Sequence, residues 1–598
     1  MTKWWIIGVS GCALAGILGG WLWWKDQSGT ENDLGGSDSA GGNKIQTAGS
    51  DELAESPLKF TNVASIDFRY AGGPSRMACM TEQNGGGVAL ADFDADGILD
   101  VFLANGATFE DGVPLDAPSN GLFRSDSTLQ FEDVALKAGI TSSNLGMGCA
   151  AGDYDNDGFV DLFLACYGRN RLWHNNGDGT FTETTDSAGV GDQNWGTSAA
   201  FADLDADGLL DLYVVNYVHW SPNEHPCNPP GHPEVNIVCS PMTRAGQSDL
   251  LFRNSGEGEF VEVGRDAGVA LSEEGKGLAL SVADFDADGR LDIYVANDMS
   301  ANFLFRNSGN MRFEEVAVTE GVAFSSDGAV GASMGVAVAD FDHNGHLDIC
   351  VTNFANQIND LFANLGSAGF ISANSTIGLD ALSRTPLSFG IVFEDFDLNG
   401  WSDLFVANGH IWDQTSFRDD VKYRMKPQVL LNIAGTRFGN TGDNAGEYFG
   451  SEHLGRSAAC GDLDNDGDCD LVVAHLDEVP AVLRNDSVRQ GHSVRLQLIG
   501  TESSRQASGA RVEIMMNGIL NVLHVPAGGS FQASHSPVLI FAVGKATALE
   551  SVQVTWSTGK ISRWQNVPID ESPETTCVLI EGHNVSISIP SKQTVPDQ

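Results

Sequence analysis

Asp153-Tyr154-Asp155-Asn156-Asp157-Gly158-Phe159-Val160-Asp161 is a short acidic loop set between two apolar runs. Ala150-Ala151-Gly152 leads into it, and Leu162-Phe163-Leu164-Ala165 leaves it as a strand. Arg171-Leu172-Trp173-His174-Asn175 reads as a third strand. Asn176-Gly177-Asp178-Gly179 is a hairpin turn, because Asn-Gly and Asp-Gly tolerate positive φ. Thr180-Phe181-Thr182-Glu183-Thr184 is the fourth strand. Four antiparallel strands around one loop predict an all-β repeat of the kind that forms a propeller blade.

The loop recurs. The pattern Asp-x-Asp-x-Asp/Asn-Gly-x-x-Asp starts at Asp92, Asp153, Asp203, Asp284, Asp340, Asp395 and Asp462, with gaps of 61, 50, 81, 56, 55 and 67 residues. A unit of about fifty residues with insertions is the mark of a closed or stacked repeat array. The turn-plus-Phe piece returns at Asn254 to Phe260, Asn307 to Phe313 and Asn432 to Phe438. After the seventh loop, Leu483-Arg484-Asn485 supplies a third strand but no fourth follows. Lys59-Phe60-Thr61-Asn62-Val63-Ala64 matches Gln130-Phe131-Glu132-Asp133-Val134-Ala135 of the first repeat. The N-terminal strand is therefore expected to complete the seventh blade, leaving no open sheet end. The expected fold is a seven-bladed β-propeller over 57–488, with a small β domain over 489–583 and a disordered tail over 584–598.

Alternating carboxylates on a tight loop point at one centre, and a glycine at position six allows the turn. Calcium takes six to eight oxygen ligands, whereas zinc favours His or Cys and magnesium a small octahedral site with retained waters. The side-chain ligands expected in the first loop are Asp92, Asp94, Asp96 and Asp100, with the carbonyl of Ile98. The second and third loops supply Asp153, Asp155, Asp157, Asp161, Asp203, Asp205, Asp207 and Asp211. The fourth supplies Asp284, Asp286, Asp288 and Asp292. The fifth and sixth carry Asn at position five: Asp340, Asp342, Asn344 and Asp348, then Asp395, Asp397, Asn399 and Asp403. The seventh holds Asp462, Asp464, Asp466 and Asp470. About seven calcium ions are expected, bound more weakly at the two loops that have one charge less. They would move the formal charge of -47 to about -33, so the surface stays acidic.

That charge reflects 80 acidic against 33 basic residues and excludes nucleic acid as a partner. A hydrophobic fraction of 42% argues for a packed chain. The first residues set the compartment. Lys3 precedes an uncharged run from Trp4 to Trp24, closed by Lys25. As a helix this run spans roughly 31 Å, one hydrocarbon core. Residues 1–25 read as a transmembrane helix or signal anchor. A cleavable signal peptide cut near Ala13-Leu14-Ala15 and a lipoprotein box at Val9-Ser10-Gly11-Cys12 are the other readings. All three export the chain, and 26–56 is a flexible Gly/Ser-rich linker. In an exported protein Cys227 and Cys239, inside one Pro-rich insertion, are the best disulfide pair. Cys149 and Cys166 flank the second loop and are a further candidate pair. Cys79, Cys350 and Cys460 read as small buried filler.

Several islands lie outside the acidic loops. In the repeats these are Asn216-Tyr217-Val218, Ala296-Asn297-Asp298, Ala332-Ser333-Met334-Gly335 and Asn408-Gly409-His410. In the C-terminal part they are Gly509-Ala510-Arg511-Val512, Gly528-Gly529-Ser530-Phe531-Gln532-Ala533-Ser534 and Val552-Gln553-Val554-Thr555-Trp556-Ser557-Thr558-Gly559. These stretches resemble the ASPIC/UnbV family, whose FG-GAP/VCBS repeats are similar to integrin α propellers and which includes cartilage acidic proteins. The resemblance implies a seven-bladed ring with a calcium per blade and an appended β domain. It implies no reaction.

No His-Glu-x-x-His pair or phosphate loop is present. A zinc site from His225, Cys227, His232 and Cys239 competes with the disulfide, and His410 reads as structural. The expected role is a membrane-tethered, extracytoplasmic binding or adhesion module for a protein or glycan. Its recognition rim is formed by the insertions from Asn105 to Asn120 and from His219 to Ser248. The alternatives are a calcium-dependent polysaccharide-cleaving enzyme and an envelope scaffold without a soluble ligand.

Overall fold

The computed structural model describes residues 56–590 apart from 73–77, 108, 111–112, 115–117, 127, 142–144, 230, 272–273, 416–420 and 570–574. The expected anchor and most of the linker lie outside the described residues. Among those described, no helix is long and apolar enough to cross a membrane.

The acidic loop at Asp153 joins the strands Leu145–Gly152 and Asp161–Tyr167, with Gly152 opposite Asp161. Arg171–Asn175 and Phe181–Glu183 complete an antiparallel sheet in chain order. Six further sheets repeat this four-strand pattern, each with its Asp loop between the first and second strands. The last of them, Gly455–Gly461, Asp470–His475 and Ala481–Asn485, takes its fourth strand from Phe60–Ser65, with Phe60 opposite Asn485.

The first strand of each sheet packs against the first strand of the next, and Gly455–Gly461 packs against Val88–Ala91 of the first sheet. The arrangement is all-β and consistent with a propeller. Burial falls outward along each sheet: every residue of Gly196–Ala202 is buried, whereas Val261 and Glu262 of the outer strand Phe260–Glu262 are exposed. Small residues let the inner strands converge. A Cβ on Gly148 would sit 2.3 Å from the Thr197 carbonyl oxygen, and one on Gly390 would sit 2.5 Å from that of Arg456. Both approaches are closer than any side chain tolerates. A one-turn helix follows the outer strand in five sheets, as at Thr185–Ala188, where Gly189 ends it at φ 77°. Reading the sequence as strands alone missed these turns, although Ala-Gly-Ile and Ala-Gly-Val mark three of them.

The C-terminal part forms two more sheets, ordered Leu539–Gly544, His492–Ile499, Thr575–Ile580, Ile587–Pro590 and Ile519–His524, Arg511–Met516, Ala548–Thr555, Ile561–Pro568. Val512, Ile514, Val552, Trp556 and Trp564 lie in the core between them. Within the expected disordered tail, Ile587–Pro590 forms a strand with Ile587 paired to Val578, and 591–598 lie outside the described residues.

This part is more than an appendage. Its segment Gly528 to Ser536 reaches the inner strands. The N–H of Gly529 donates to Leu280 O at 2.8 Å, and Ser530 O accepts from Val336 N–H at 2.9 Å. Ala533–Ser534 runs parallel to Val88 and Ala89 of the first sheet, and Ser536 N–H donates to Cys460 O of the last. Phe531 is wholly buried, 5.0 Å from the ring of Phe389. One segment thus joins inner strands far apart in sequence.

Candidate metal centres

All seven loops share one backbone. Position four is left-handed in each: Ala95, Asn156, Ala206, Ala287, His343, Leu398 and Asn465 have φ between 54° and 64°. The following glycine has φ between 86° and 98°. This doubly left-handed turn folds the carboxylates back over the chain. In the first loop Asp92 accepts from the N–H groups of Asp96 at 3.0 Å and Gly97 at 2.9 Å, while Asp96 accepts from Ile98 at 2.9 Å. The same bonds to the first Asp recur through Asp153, Asp203, Asp284, Asp340, Asp395 and Asp462. Donor oxygens of Asp92, Asp94 and Asp96 lie within 4.8 Å of one another, as do those of Asp153, Asp155 and Asp157 and those of Asp203, Asp205 and Asp211.

The ninth-position Asp is the anchor of each loop. Asp161 accepts from Tyr154 N–H at 3.0 Å and from Asn175 N–H on the third strand at 2.8 Å. Burial, reinforced by neighbouring carboxylates, pushes Asp100 and Asp348 up to about 8 and Asp161 to about 9. Asp211, Asp292, Asp403 and Asp470 are driven well above the usual carboxylate range for the same reason. Burial also raises the first-position Asp, to about 6 at Asp92, Asp153, Asp203 and Asp284 and about 7 at Asp340, Asp395 and Asp462. Such cages disfavour their own charge, and a bound cation removes the penalty. Buried oxygens Asp205 Oδ1 and Asp397 Oδ1 accept no hydrogen bond. An oxygen-only donor set with unused lone pairs fits a hard divalent cation.

The third strand carries a basic side chain over most loops. Arg124 is 2.5 Å from Asp94, Arg253 2.6 Å from Asp205, Arg306 3.1 Å from Asp286 and His174 3.1 Å from Asp155. Arg484 acts on Asp464. The corresponding residues at the two loops with Asn344 and Asn399 are Ala363 and Leu431. A third-strand base is therefore present where a loop has four carboxylates and absent where it has three. This offsets the charge difference on which weaker fifth and sixth sites were expected.

The next residue of that strand was read only as the end of the third strand at Asn175 and as the start of the turn at Asn254, Asn307 and Asn432. Asn175 donates its side-chain amide to Phe93 O of the preceding loop at 2.8 Å and to Val160 O of its own at 3.0 Å. Asn254, Asn307, Asn364, Asn432 and Asn485 make the same cross-loop bond, to Tyr154, Leu204, Phe285, Phe341 and Phe396. The first sheet has Ser125 instead. The first six acidic loops are thus each tied to the next sheet.

The C-terminal part covers the loop ends of the sheets. Arg495 Nη1 meets Asp462 Oδ2 at 3.0 Å, Gln506 accepts from Asp153 N–H at 3.0 Å and Ser557 donates to Asp203 Oδ2 at 2.8 Å. Arg511 donates to Gly345 O at 2.7 Å. The seventh loop also meets Arg489 at Asp466 and Asp468.

The two long insertions leave the other ends of the strands. His219 to Ser248 follows Asp211–Asn216, whose far end pairs with Gly196. Tyr167, Trp195, Tyr217 and Trp220 cluster at its base, with ring centroids 5.1 to 5.7 Å apart. Cys227 and Cys239 form a disulfide across it, which leaves no thiolates for zinc there. Asn105 to Asn120 contains the hairpin Phe109–Glu110 with Val113–Pro114. Cys149 and Cys166 are not bonded to each other. A bulge sets Cys149 opposite Leu164 and Cys166 opposite Gly146. His410 is buried, with Nε2 3.1 Å from Gln414 Nε2 and Nδ1 accepting from Trp412 N–H.

An FG-GAP-like repeat model matches residues 92–164, 153–214, 231–295 and 284–351, and an ASPIC and UnbV model matches 500–582. The chain carries FG-GAP-like repeats and an ASPIC/UnbV module. The repeat matches reach the first five loops; the sixth and seventh share their backbone. Cartilage acidic protein 1 of Mus musculus is 27% identical over 303 residues, 50% of this chain and 44% of that protein. The Homo sapiens protein is 26% identical over 50% of this chain and 43% of its own length. The match therefore spans less than half of these relatives. Among solved structures, one from Agrocybe aegerita that recognises non-reducing terminal N-acetylglucosamine is 16% identical over 67% of this chain and 93% of its own, at a TM-score of 0.35. The biofilm matrix protein Bap1 of V. cholerae is 9% identical over 89% of this chain and 65% of its own, at 0.30. Likenesses this loose decide neither fold nor role.

Proposed function

We propose that the FG-GAP repeats form a seven-bladed, calcium-stabilised propeller that acts outside the cytoplasm as a binding or adhesion module for a protein or glycan, without enzymatic activity. One observation carries the reading. The acidic loops are covered by the ASPIC/UnbV module, whereas the disulfide-braced insertion His219 to Ser248 stands on an aromatic base at the opposite strand ends. Rigid scaffold with elaborated loops is the usual division between stability and recognition. Calcium belongs to the scaffold: Asp92 and its counterparts would hold it, balancing charge that burial makes costly. The disulfide agrees with an oxidising compartment, and residues 1–25 would tether the module to a membrane.

The test uses the full chain in calcium on a glycan array and on immobilised extracellular-matrix proteins, beside a variant lacking residues 221–243. Saturable binding lost in the variant is expected. Carbohydrate cleavage products without saturable binding would replace this reading with a polysaccharide-cleaving enzyme. Neither binding nor products would leave a scaffold.

A further inference from the structure

Three departures from the repeat meet at one place. Glu394 directly precedes the sixth loop, where the other six loops are preceded by Ala or Gly. Cys469 is the eighth residue of the seventh loop, where the others have Leu, Val or Ser. Cys460 lies two places before that loop, where the others have Leu, Ala, Phe or Val. One donor atom from each of Glu394, Cys460 and Cys469 lies within 4.8 Å of the other two. A fourth donor comes from the ASPIC/UnbV module: His535 Nδ1 is 3.4 Å from Cys460 Sγ. All four residues line a cavity of about 110 Å³ between the inner strands and the module, with His524 also on its wall.

The chemistry separates this cluster from the acidic loops. Calcium and magnesium take oxygen donors, whereas two thiolates, an imidazole and a carboxylate are the donor set of zinc. Zinc bonds of about 2.3 Å to sulfur and 2.0–2.1 Å to nitrogen, in a tetrahedron, set neighbouring donors roughly 3.5 Å apart. The Cys460–His535 separation matches that edge. His535 Nδ1 now accepts the Cys460 N–H at 3.2 Å and would exchange that bond for the metal. Two thiols this close in an oxidising compartment otherwise favour a disulfide, and zinc protects them from it.

We propose that Glu394, Cys460, Cys469 and His535 form a structural zinc site joining the sixth and seventh sheets to the C-terminal module. Four protein ligands leave no open position, so the ion braces the fold and does no chemistry on a substrate.

Zinc itself is the probe. The full chain, in excess calcium, is loaded with zinc, desalted and analysed by elemental mass spectrometry; cobalt replaces zinc in a parallel sample. About one retained zinc per chain and a thiolate-to-cobalt charge-transfer band are expected. Cys469→Leu and Glu394→Ala install residues that other loops already carry. Both should fold, with Cys469→Leu losing the band and the zinc. A wild-type chain that retains no zinc and shows no thiolate band overturns the proposal, as does a Cys460–Cys469 disulfide in protein purified without reductant. The wild-type measurements decide even if a variant fails to fold.

Discussion

The side-chain amide of Asn364 donates to the carbonyl oxygen of Phe285, 79 residues earlier and 2.8 Å away, while its own backbone N–H donates to Asp348 Oδ1 at 2.7 Å. One residue therefore holds two acidic loops in fixed relation.

Asn364→Ala should destabilise the protein by about 1–3 kcal/mol, because the buried carbonyls of Phe285 and Leu347 would lose their donor. Urea denaturation in calcium measures it. A loss under about 0.5 kcal/mol would show that water replaces the amide, and that the cross-loop bond is not a structural tie.

Metal removal should reverse the pH dependence of stability. The cage carboxylates have folded values raised from 3.8 to about 6 at Asp92 and about 9 at Asp161. A raised carboxylate contributes stability below its unfolded value and loses that contribution as the pH climbs through the folded one. In chelator the melting temperature should therefore be higher at pH 5 than at pH 8. In excess calcium it should be higher at pH 8, since the metal competes with protons for the same oxygens. Thermal melts at both pH values, with and without chelator, check the sign; identical curves would mean that the loops hold no cation.

The third-strand base should tune affinity. Leu431→Arg, which copies Arg253 over the sixth loop, should weaken calcium binding there by up to about fivefold, roughly 1 kcal/mol. Arg253→Ala should strengthen the third loop by a similar factor. Calorimetric calcium titration of the full chain resolves the change, and unchanged affinities in both variants would separate the base from the cage.

Phe531→Ala should cost about 3–5 kcal/mol, the usual penalty for emptying a buried aromatic site. The effect should appear in the melting of the repeats as well as the module, because Phe531 packs against Phe389. Differential scanning calorimetry distinguishes one joint transition from two separate ones.

Local chemistry explains which features the sequence displayed. The Asp loops were legible because alternating carboxylates and a glycine are needed in adjacent positions. The pairing of Phe60 with Asn485 was legible because a missing fourth strand and a surplus first strand stood at the two ends. Features built across repeats were hidden. Asn175 looked like an ordinary strand-end residue, since its bond to Phe93 crosses 82 positions. The balance between Asn399 and Leu431 joins a loop to a separate strand, so Asn399 alone suggested only a poorer cage. Gly528 to Ser534 stood out as a motif, yet nothing in its composition tells that it enters among the inner strands. Cys460 looked like filler because Glu394 and His535 approach from other parts of the chain.

The seventh sheet has a consequence for biogenesis. Its outer strand is among the first structured segments to be synthesised, and its neighbour, 425 residues away, among the last of the repeats. Until Ala481–Asn485 emerges, Phe60–Ser65 has no strand to pair with. The pairing that completes the seventh sheet must wait until Asn485 has been made, so it forms late in synthesis. A translation product truncated before the last repeat would present two sticky β edges to chaperones and proteases rather than a smaller working version of the protein.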